Sequence, residues 1–434
     1  MENKYSRRKF WIALVVFALV GQVAWVVENM YLNVFIYKMF HADAAAISAM
    51  VSASAVAATL TTIFVGAFSD KIGKRKLFIC GGYLCWGVSI LCFGLVRMDT
   101  INALFPTVAN AASLGVSLVI ILDCVMTFFG SSANDACFNA WLTDSTDETN
   151  RGKAEGINAM MPLLAILVVF GGFMGLDQNL PESWTVIFCV IGGIVFVLGA
   201  AGFFLIEEPK VDTSENQHYL KNLCYGFRPK VIAANPKLYL TLLAYAIFGV
   251  AINIFMPYLI LYYEKGLGMT DYVFIFAPAI ILAAVFTALY GRVYDRKGFV
   301  AAVLPALGLL MAGFLMLYFF KQTALVFIGT VLMLCGYLSG MAVFGAMLRD
   351  HTPENKSGMF QGQRIVGQVL LPGIIGPAIG AAVLADAQVI VNNDGTESFL
   401  PNEKIFLAAF VAALFIFVAL IPLLKTLKKQ EKGE

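Results

Sequence analysis

Charge is what this sequence has least of. Only 13% of its 434 residues are Asp, Glu, Lys or Arg, and histidine occurs three times, whereas about a quarter of an ordinary soluble domain is charged. So little charge excludes a disordered chain and a nucleic-acid-binding surface. A phosphate-binding loop of the G-x-x-x-x-G-K-[ST] kind is missing as well, so ATP is not the expected energy source. The eight cysteines (Cys80, Cys85, Cys92, Cys124, Cys137, Cys189, Cys224 and Cys335) have no metal-ligand spacing, and seven of them sit in apolar runs, which makes them packing residues rather than zinc ligands. No metal and no cofactor is expected. No segment alternates polar and apolar residues over ten positions, so a membrane β-barrel is excluded. The carboxylates are isolated from any nucleophile or base, so the chain does not read as an enzyme.

What is abundant is hydrocarbon. Hydrophobic residues make up 60% of the chain and the mean hydropathy is +0.80, with apolar runs of about 20 residues recurring throughout, the length that crosses a bilayer as a helix. The runs predict an all-α integral membrane protein with twelve transmembrane helices, at 10–37, 44–69, 77–97, 115–142, 154–176, 184–206, 237–263, 271–291, 299–320, 324–349, 358–385 and 404–425. The fourth is the hardest to bound, because 98–114 mixes Asn102, Pro106 and Asn110 with apolar residues. The first run follows Arg7-Arg8-Lys9 and has no small-residue cleavage site, so it reads as a retained helix. With the amino terminus inside, 24 of the 30 Lys and Arg fall on the cytoplasmic side and five on the outer side. That bias predicts that both termini are cytoplasmic. A bacterial inner membrane is the expected location, because the one N-x-[ST] sequon, at Asn355, falls on a loop predicted to be cytoplasmic. The longest polar stretch predicts three parts: an amino-terminal bundle over 1–206, a cytoplasmic linker over 207–236, and a carboxyl-terminal bundle over 237–434.

The halves repeat. "GAFSDKIGKRK" (66–76) and "GRVYDRKGF" (291–299) align Gly66, Asp70 and Gly73 with Gly291, Asp295 and Gly298, an offset of 225. Further on, "AWLTDSTDETNRGKAEG" (140–156) and "AMLRDHTPENKSGMFQG" (346–362) match at an offset of 206, pairing Asp144 with Asp350 and Gly152 with Gly358. Two parallel six-helix halves are a transporter architecture, with the solute bound near the bilayer midplane. The pattern G-x-x-x-D-x-x-G-x-R/K-K/R resembles motif A of the major facilitator superfamily, and through the repeat the resemblance covers the whole chain. It implies a cytoplasmic gate in which the motif's Asp faces a helix start in the opposite half. The gate residues here are Gly66, Asp70, Gly73, Lys74, Arg75, Asp144, Arg151, Asp295, Arg296 and Asp350. An Asp at a helix amino terminus gains from the free N–H groups and the macrodipole. The plainer reading, that these cations only obey the positive-inside rule, accounts for Lys74, Arg75 and Lys76 but not for the glycines or the repeated Asp.

Polar residues inside the spans mark the candidate site. A carboxylate at the bilayer centre costs roughly 2.5–3.5 kcal/mol on insertion scales, and three acids are placed there: Glu28, Asp123 and Asp135. The first helix draws a polar and aromatic stripe of Gln22, Trp25, Glu28 or Asn29, Asn33 and Tyr37 at three- and four-residue steps. Trp25 offers a face on which a sugar ring stacks. The fourth helix carries Asp123, Thr127, Ser131, Asn134 and Asp135. Its continuation, "NDACFNAWLTDSTDETNRGKAEG", is similar to the helix-four region of the glycoside–pentoside–hexuronide:cation symporters, the branch that includes melibiose permease and lies near the sucrose/proton carriers. That resemblance puts Asp135 at the sugar and cation site. Sodium-coupled members use acids on helix two, and "AAAISAMVSASAVAATLTTIFVGAFS" has none, so the expected coupling ion is H+ rather than Na+, carried by Glu28, Asp135 or Asp123. In the second half, Asn253, Tyr258, Arg364 and Gln368 complete the candidate solute site. Arg364 either binds an anionic group or snorkels to the nearby surface.

The expected function is proton-coupled import of a sugar, glycoside or related polyhydroxylated solute by a monomer in the lipid bilayer. Efflux of amphipathic compounds, transport of an organic acid or uronate, and a non-transporting sensor are the alternatives.

Overall fold

Inside lipid an unpaired backbone N–H or C=O has no water to turn to, so a spanning chain closes its hydrogen bonds within helices. A computed structural model of the protein, which describes residues 4–146, 150–208, 225–352, 360–392 and 396–431, is helical almost throughout. Eleven of its helical stretches are long and apolar enough to cross a membrane, and one of them, Val273–Phe319, is two spans joined where Gly298 leaves helical geometry. Among the described residues that makes the twelve spans expected.

The Cα framework divides into two compact units, one of Met1–Ala46 with Ala53–Tyr219 and one of Ile47–Ser52 with Leu220–Glu434. The first contains α1 (Lys4–Val26), α2 (Leu32–Phe40), α3 (Ala44–Ile72) apart from Ile47–Ser52, α4 (Arg75–Phe93), the short α5 (Met98–Leu104), α6 (Ala111–Gly130), α7 (Asn139–Asp144), α8 (Arg151–Phe173) and α9 (Pro181–Leu205). The second contains α10 (Pro229–Ala234), α11 (Pro236–Phe255), α12 (Leu259–Leu261), α13 (Val273–Phe319), α14 (Thr323–His351), α15 (Gln361–Ile365), α16 (Leu371–Leu384), α17 (Lys404–Leu414) and α18 (Ile416–Glu431). The expected linker lies largely in 209–224, outside the described residues.

Local chemistry sets the ends. Asp43 accepts from the Ala46 amide at 2.7 Å to start α3, and Asn110 accepts from Ser113 to start α6, each satisfying an N–H that the helix itself leaves open. Pro181 and Pro236 open α9 and α11, where a missing amide proton costs nothing. The irregular stretch 98–114 holds α5 and the loop that leads to α6. One feature had no counterpart in the helical reading: an antiparallel pair of three-residue strands, β1 (Val389–Val391) and β2 (Glu397–Phe399), in the register Val389 with Phe399. β-Branched Val389, Ile390 and Val391 favour a pleated surface, and the run is too short to show an alternation in the sequence.

Packing within the first unit is close where side chains vanish. A Cβ on Gly199 would lie 2.6 Å from the Leu84 amide, and one on Gly192 would lie 2.9 Å from the Gly87 carbonyl, so α4 and α9 meet backbone to backbone. Apolar tails outside a membrane helix are as oily as leucine, and such small-residue contacts are what drive helices together there.

Four helices widen by a residue into π-helical turns: Val27–Tyr31 between α1 and α2, Ser131–Phe138 between α6 and α7, Tyr262–Gly266 after α12, and Val366–Leu370 between α15 and α16. Such turns are frequent at functional sites, and three of the four contain a polar residue singled out from the sequence: Glu28, Asp135 and Gln368.

Gly298 has φ 76° and ψ −179°, a region open essentially to glycine alone, where another residue costs about 1–3 kcal/mol. Gly298→Ala is therefore expected to lower the melting temperature of the detergent-purified protein. Gly308→Ala, on the same helix with nothing within 4 Å of the added methyl, should leave it unchanged or raise it.

Candidate functional site

One buried polar group in the first unit is built from three helices. The π-helical turn after α1 presents Glu28, only 6% exposed. Its Oε1 accepts from Ser54 Oγ on α3 at 2.7 Å and from Thr127 Oγ1 on α6 at 2.8 Å. The two hydroxyl oxygens are themselves 2.8 Å apart, so three oxygens form a closed triangle. Glu28 Oε2 is buried with no hydrogen-bond partner. Asp123, 2% exposed and one turn before Thr127 on α6, has its Oδ1 likewise buried and unpartnered. Among the described residues no Lys or Arg forms an ion pair with either acid. Nor does any group of three or more His, Cys, Asp or Glu side chains form a metal-binding cluster there.

Beside this lies a second, more accessible group. Asp135 is half-buried and accepts from Ser131 Oγ at 3.0 Å, with the half-buried Trp25 side chain alongside it. Trp25 packs on Trp86 at 5.1 Å between ring centroids, and Tyr83 packs on Trp86 at 5.3 Å. Gly130 makes room for this wall, since a Cβ there would lie 2.8 Å from the Trp86 ring and 3.0 Å from that of Trp25. Gly21 does the same for Asn134, whose Oδ1 accepts from Tyr83 OH at 3.1 Å. The arrangement sets an aromatic face beside a carboxylate acceptor.

The expected residues thus separate into layers. Glu28, Asn33, Thr127, Ser131 and Asn134 are buried within the unit, Gln22, Trp25 and Asp135 are half-buried, and Asn29 is exposed. Asn29 and Asn33 each turn a side-chain N–H back onto the helix, to Trp25 O and Asn29 O. In the second unit Asn253 is half-buried and bonds Gly249 O, and Tyr258 is fully buried with its hydroxyl on Pro377 O at 3.4 Å. Gln368 and Arg364 are half-buried, and Arg364 lies near Tyr245 and a second cation, Arg349.

The repeated loops make matching networks with different residues. Gly73 takes φ 71° to end α3, as its counterpart Gly298 takes φ 76°. Arg75, 4% exposed, donates from Nη1 to Ser69 Oγ at 2.6 Å and from Nε to Asp144 Oδ2 at 3.1 Å. In the second unit the residue aligned with Ser69 is Tyr294, and its hydroxyl donates directly to Asp350, the residue aligned with Asp144. One large side chain spans what Ser69 and Arg75 span together. Gly66 is half-buried, and Lys74, Asp295 and Arg296 are exposed. The side chains of Asp70 and Arg151 lie outside the described residues.

Ser54, Ser69, Tyr83, Trp86 and Tyr294 did not stand out in the sequence. Ser54 is one small residue in a helix full of them, and its contacts are 26 and 73 residues away, so no local spacing marks it.

A family model described as Major Facilitator Superfamily matches residues 10–377. Solved structures with the same fold include the nucleoside transporter NupG (TM-score 0.66, 12% identity, 96% of this chain and 98% of that one). They also include a bacterial homologue of the human lysosomal transporter Spinster (TM-score 0.69, 15% identity, 98% and 99%) and a D-xylose–proton symporter (TM-score 0.68, 13% identity, 94% and 97%). No curated protein matches the sequence.

Because Arg75 is held by Ser69 and Asp144 together, Arg75→Gln and Asp144→Asn are expected each to lower stability, by about 1–3 kcal/mol for a lost charge-assisted hydrogen bond. In a double-mutant cycle read by thermal unfolding, the pair together should cost less than the sum of the two; strict additivity would mean that the contact does not stabilise the protein.

Proposed function

Because this chain belongs to the Major Facilitator Superfamily, and is therefore a membrane transporter of a small solute rather than an enzyme, we propose that it couples H+ to the import of a sugar, glycoside or related polyhydroxylated molecule by alternating access. The observation that carries the coupling is the oxygen triangle of Glu28, Ser54 and Thr127. Three oxygen pairs at 2.7–2.8 Å are hydrogen-bond distances, and each needs a hydrogen between its atoms. Two hydroxyls supply two. The third is available when Glu28 carries a proton on Oε1 and donates it to one hydroxyl, which then donates to the other, so the triangle is complete with the carboxyl protonated and one hydrogen short without it.

Sodium fits the same oxygens less well. Oxygens that ligate a hard cation at about 2.3–2.6 Å in an octahedral cage stand about 3.3–3.7 Å apart along its edges, wider than the spacing here. The sequence agrees, in that α3 offers hydroxyls and no acid before Asp70 in its last turn.

Trp25 beside Asp135 supports a ring bearing hydroxyls as the solute, with Gln22 and Asn29 as further polar contacts. The neighbours named for D-xylose and nucleosides carry solutes with that chemistry. The resemblance to the glycoside–pentoside–hexuronide branch points the same way. Asp70 and Asp295, with Lys74, Arg75 and Arg296 near them in sequence and Arg151 of the 140–156 loop, are the proposed cytoplasmic gate. The Lys and Arg distribution supports both termini in the cytoplasm; a bacterial inner membrane, helical bundles over 1–206 and 237–434 joined by 207–236, and action as a monomer belong to the same proposal.

A second reading rests on Arg364. Among the described residues it forms no ion pair, and its charged neighbour is Arg349, so an anionic solute such as a uronate would supply the missing charge. A thermal-shift screen separates the readings, since a ligand at a hundred times its Kd adds about 2.7 kcal/mol to the folded state. Neutral sugars or glycosides that stabilise the wild type and not Asp135→Asn favour the first; acids that stabilise the wild type and not Arg364→Gln favour the second.

Glu28→Gln keeps both the shape and a hydrogen for the triangle but cannot release a proton. It is expected to retain the ligand-induced thermal shift while uptake into proteoliposomes no longer responds to an imposed pH gradient. Wild-type uptake that ignores the pH gradient and stops without sodium would overturn the proton reading.

A further inference from the structure

The buried acid that the triangle leaves over is Asp123. It shares the interior of the first unit with Glu28, it is 2% exposed, and its Oδ1 is buried without a hydrogen-bond partner. Ser54 lies against both acids: its hydroxyl closes a hydrogen bond to Glu28 and also borders the Asp123 carboxyl. Thr127, one turn beyond Asp123 on α6, holds the other side of Glu28 Oε1. The titratable groups around the pair are few. Glu28 faces Asp123 from the π-helical turn after α1, Cys124 follows it on α6, and Asp135 bears on Glu28 from the next π-helical turn, with Tyr83 of α4 near Asp135. No Lys or Arg among the described residues pairs with either acid. Two adjacent carboxylates cannot both remain ionised in a water-poor interior without a cation.

Resting on the proton reading of Glu28, we infer that Asp123 is a second proton site behind it and that the Ser54 hydroxyl passes the proton between the two. In the step, the Glu28 carboxylic O–H bond breaks and its hydrogen passes to Ser54 Oγ. The hydrogen already on Ser54 moves to the Asp123 carboxylate. Glu28 is left as a carboxylate, Asp123 becomes the acid, and Ser54 is a hydroxyl again. Nothing is oxidised or reduced. Ser54 is suited to this because one hydroxyl both accepts and donates, and because its single hydrogen cannot serve Glu28 and Asp123 at once. Thr127 holds Glu28 Oε1 while Ser54 turns away. Asp123 thus stores a proton one step removed from the half-buried layer of Trp25 and Asp135, where a solute would bind.

The test uses the full-length protein in lipid and the proton itself as the probe. Infrared difference spectra between acidic and alkaline buffer report the carbonyl stretch of protonated carboxyls, and transfer to D2O reports how quickly each exchanges. The wild type should show separate signals for Glu28 and Asp123, one lost in Glu28→Gln and the other in Asp123→Asn. Ser54→Ala should keep both signals and slow exchange of the Asp123 signal by about tenfold, equivalent to about 1.4 kcal/mol on the barrier, and Ser54→Thr should restore it. If Asp123→Asn does not fold, Asp123→Glu should shift the same signal. An Asp123 substitution that changes no signal, or Ser54→Ala exchanging as fast as the wild type, overturns the relay while leaving Glu28 as the coupling site. Loss of no signal in Glu28→Gln overturns the proton reading and the relay with it.

Discussion

In hydrocarbon, an unpaired polar group has nowhere to go, and that constraint organises this protein at every scale. It forces the backbone into helices, and with so few charges in the chain the helices can be apolar nearly throughout. It also gives meaning to each exception. A side-chain carboxylate retained in a span has to be met by donors, by a cation or by a proton, and the structure meets Glu28 with two hydroxyls from two other helices.

The π-helical turns are the backbone's part of the same solution. One extra residue in a turn redirects the side chains around it and loosens the regular ladder. At Val27–Tyr31 Glu28 is buried while its neighbour Asn29 is exposed. At Ser131–Phe138 the turn carries Asn134, held by Tyr83, and Asp135, held by Ser131. A buried layer built around Glu28 and Asp123 and a more open layer of Trp25 and Asp135 thus come from the same stretches of chain, 25–28 and 123–135.

The repeated loops show how a duplicated design keeps a geometry while changing the atoms. Gly73 and Gly298 both take positive φ, where a Cβ is strained, so both loops place a glycine at the same turn. Asp144 is held by a buried Arg75 that also engages Ser69, while Asp350 accepts from the Tyr294 hydroxyl. The aligned acid has a donor in each unit, an ion pair in one and a phenol in the other.

The sequence by itself determined the membrane setting, the number of spans and the superfamily, because hydrophobic length, the Asp and glycines of a motif used twice, and the placement of Lys and Arg are local properties that survive without a fold. Carboxylates in apolar runs drew attention to Glu28, Asp123 and Asp135 for the same reason. What the tertiary structure decided is how these groups are met. Ser54, Tyr83, Trp86 and Gly130 look ordinary in a helix, and only the approach of distant helices makes them partners of Glu28, Asn134 and Trp25. The π-helical turns were equally hidden, since a one-residue widening leaves a stripe of polar residues looking regular while it separates Glu28 from Asn29. The short β1–β2 pair and the division of the stripe into buried and half-buried layers have the same cause: they depend on contacts across the chain, which no spacing along it records.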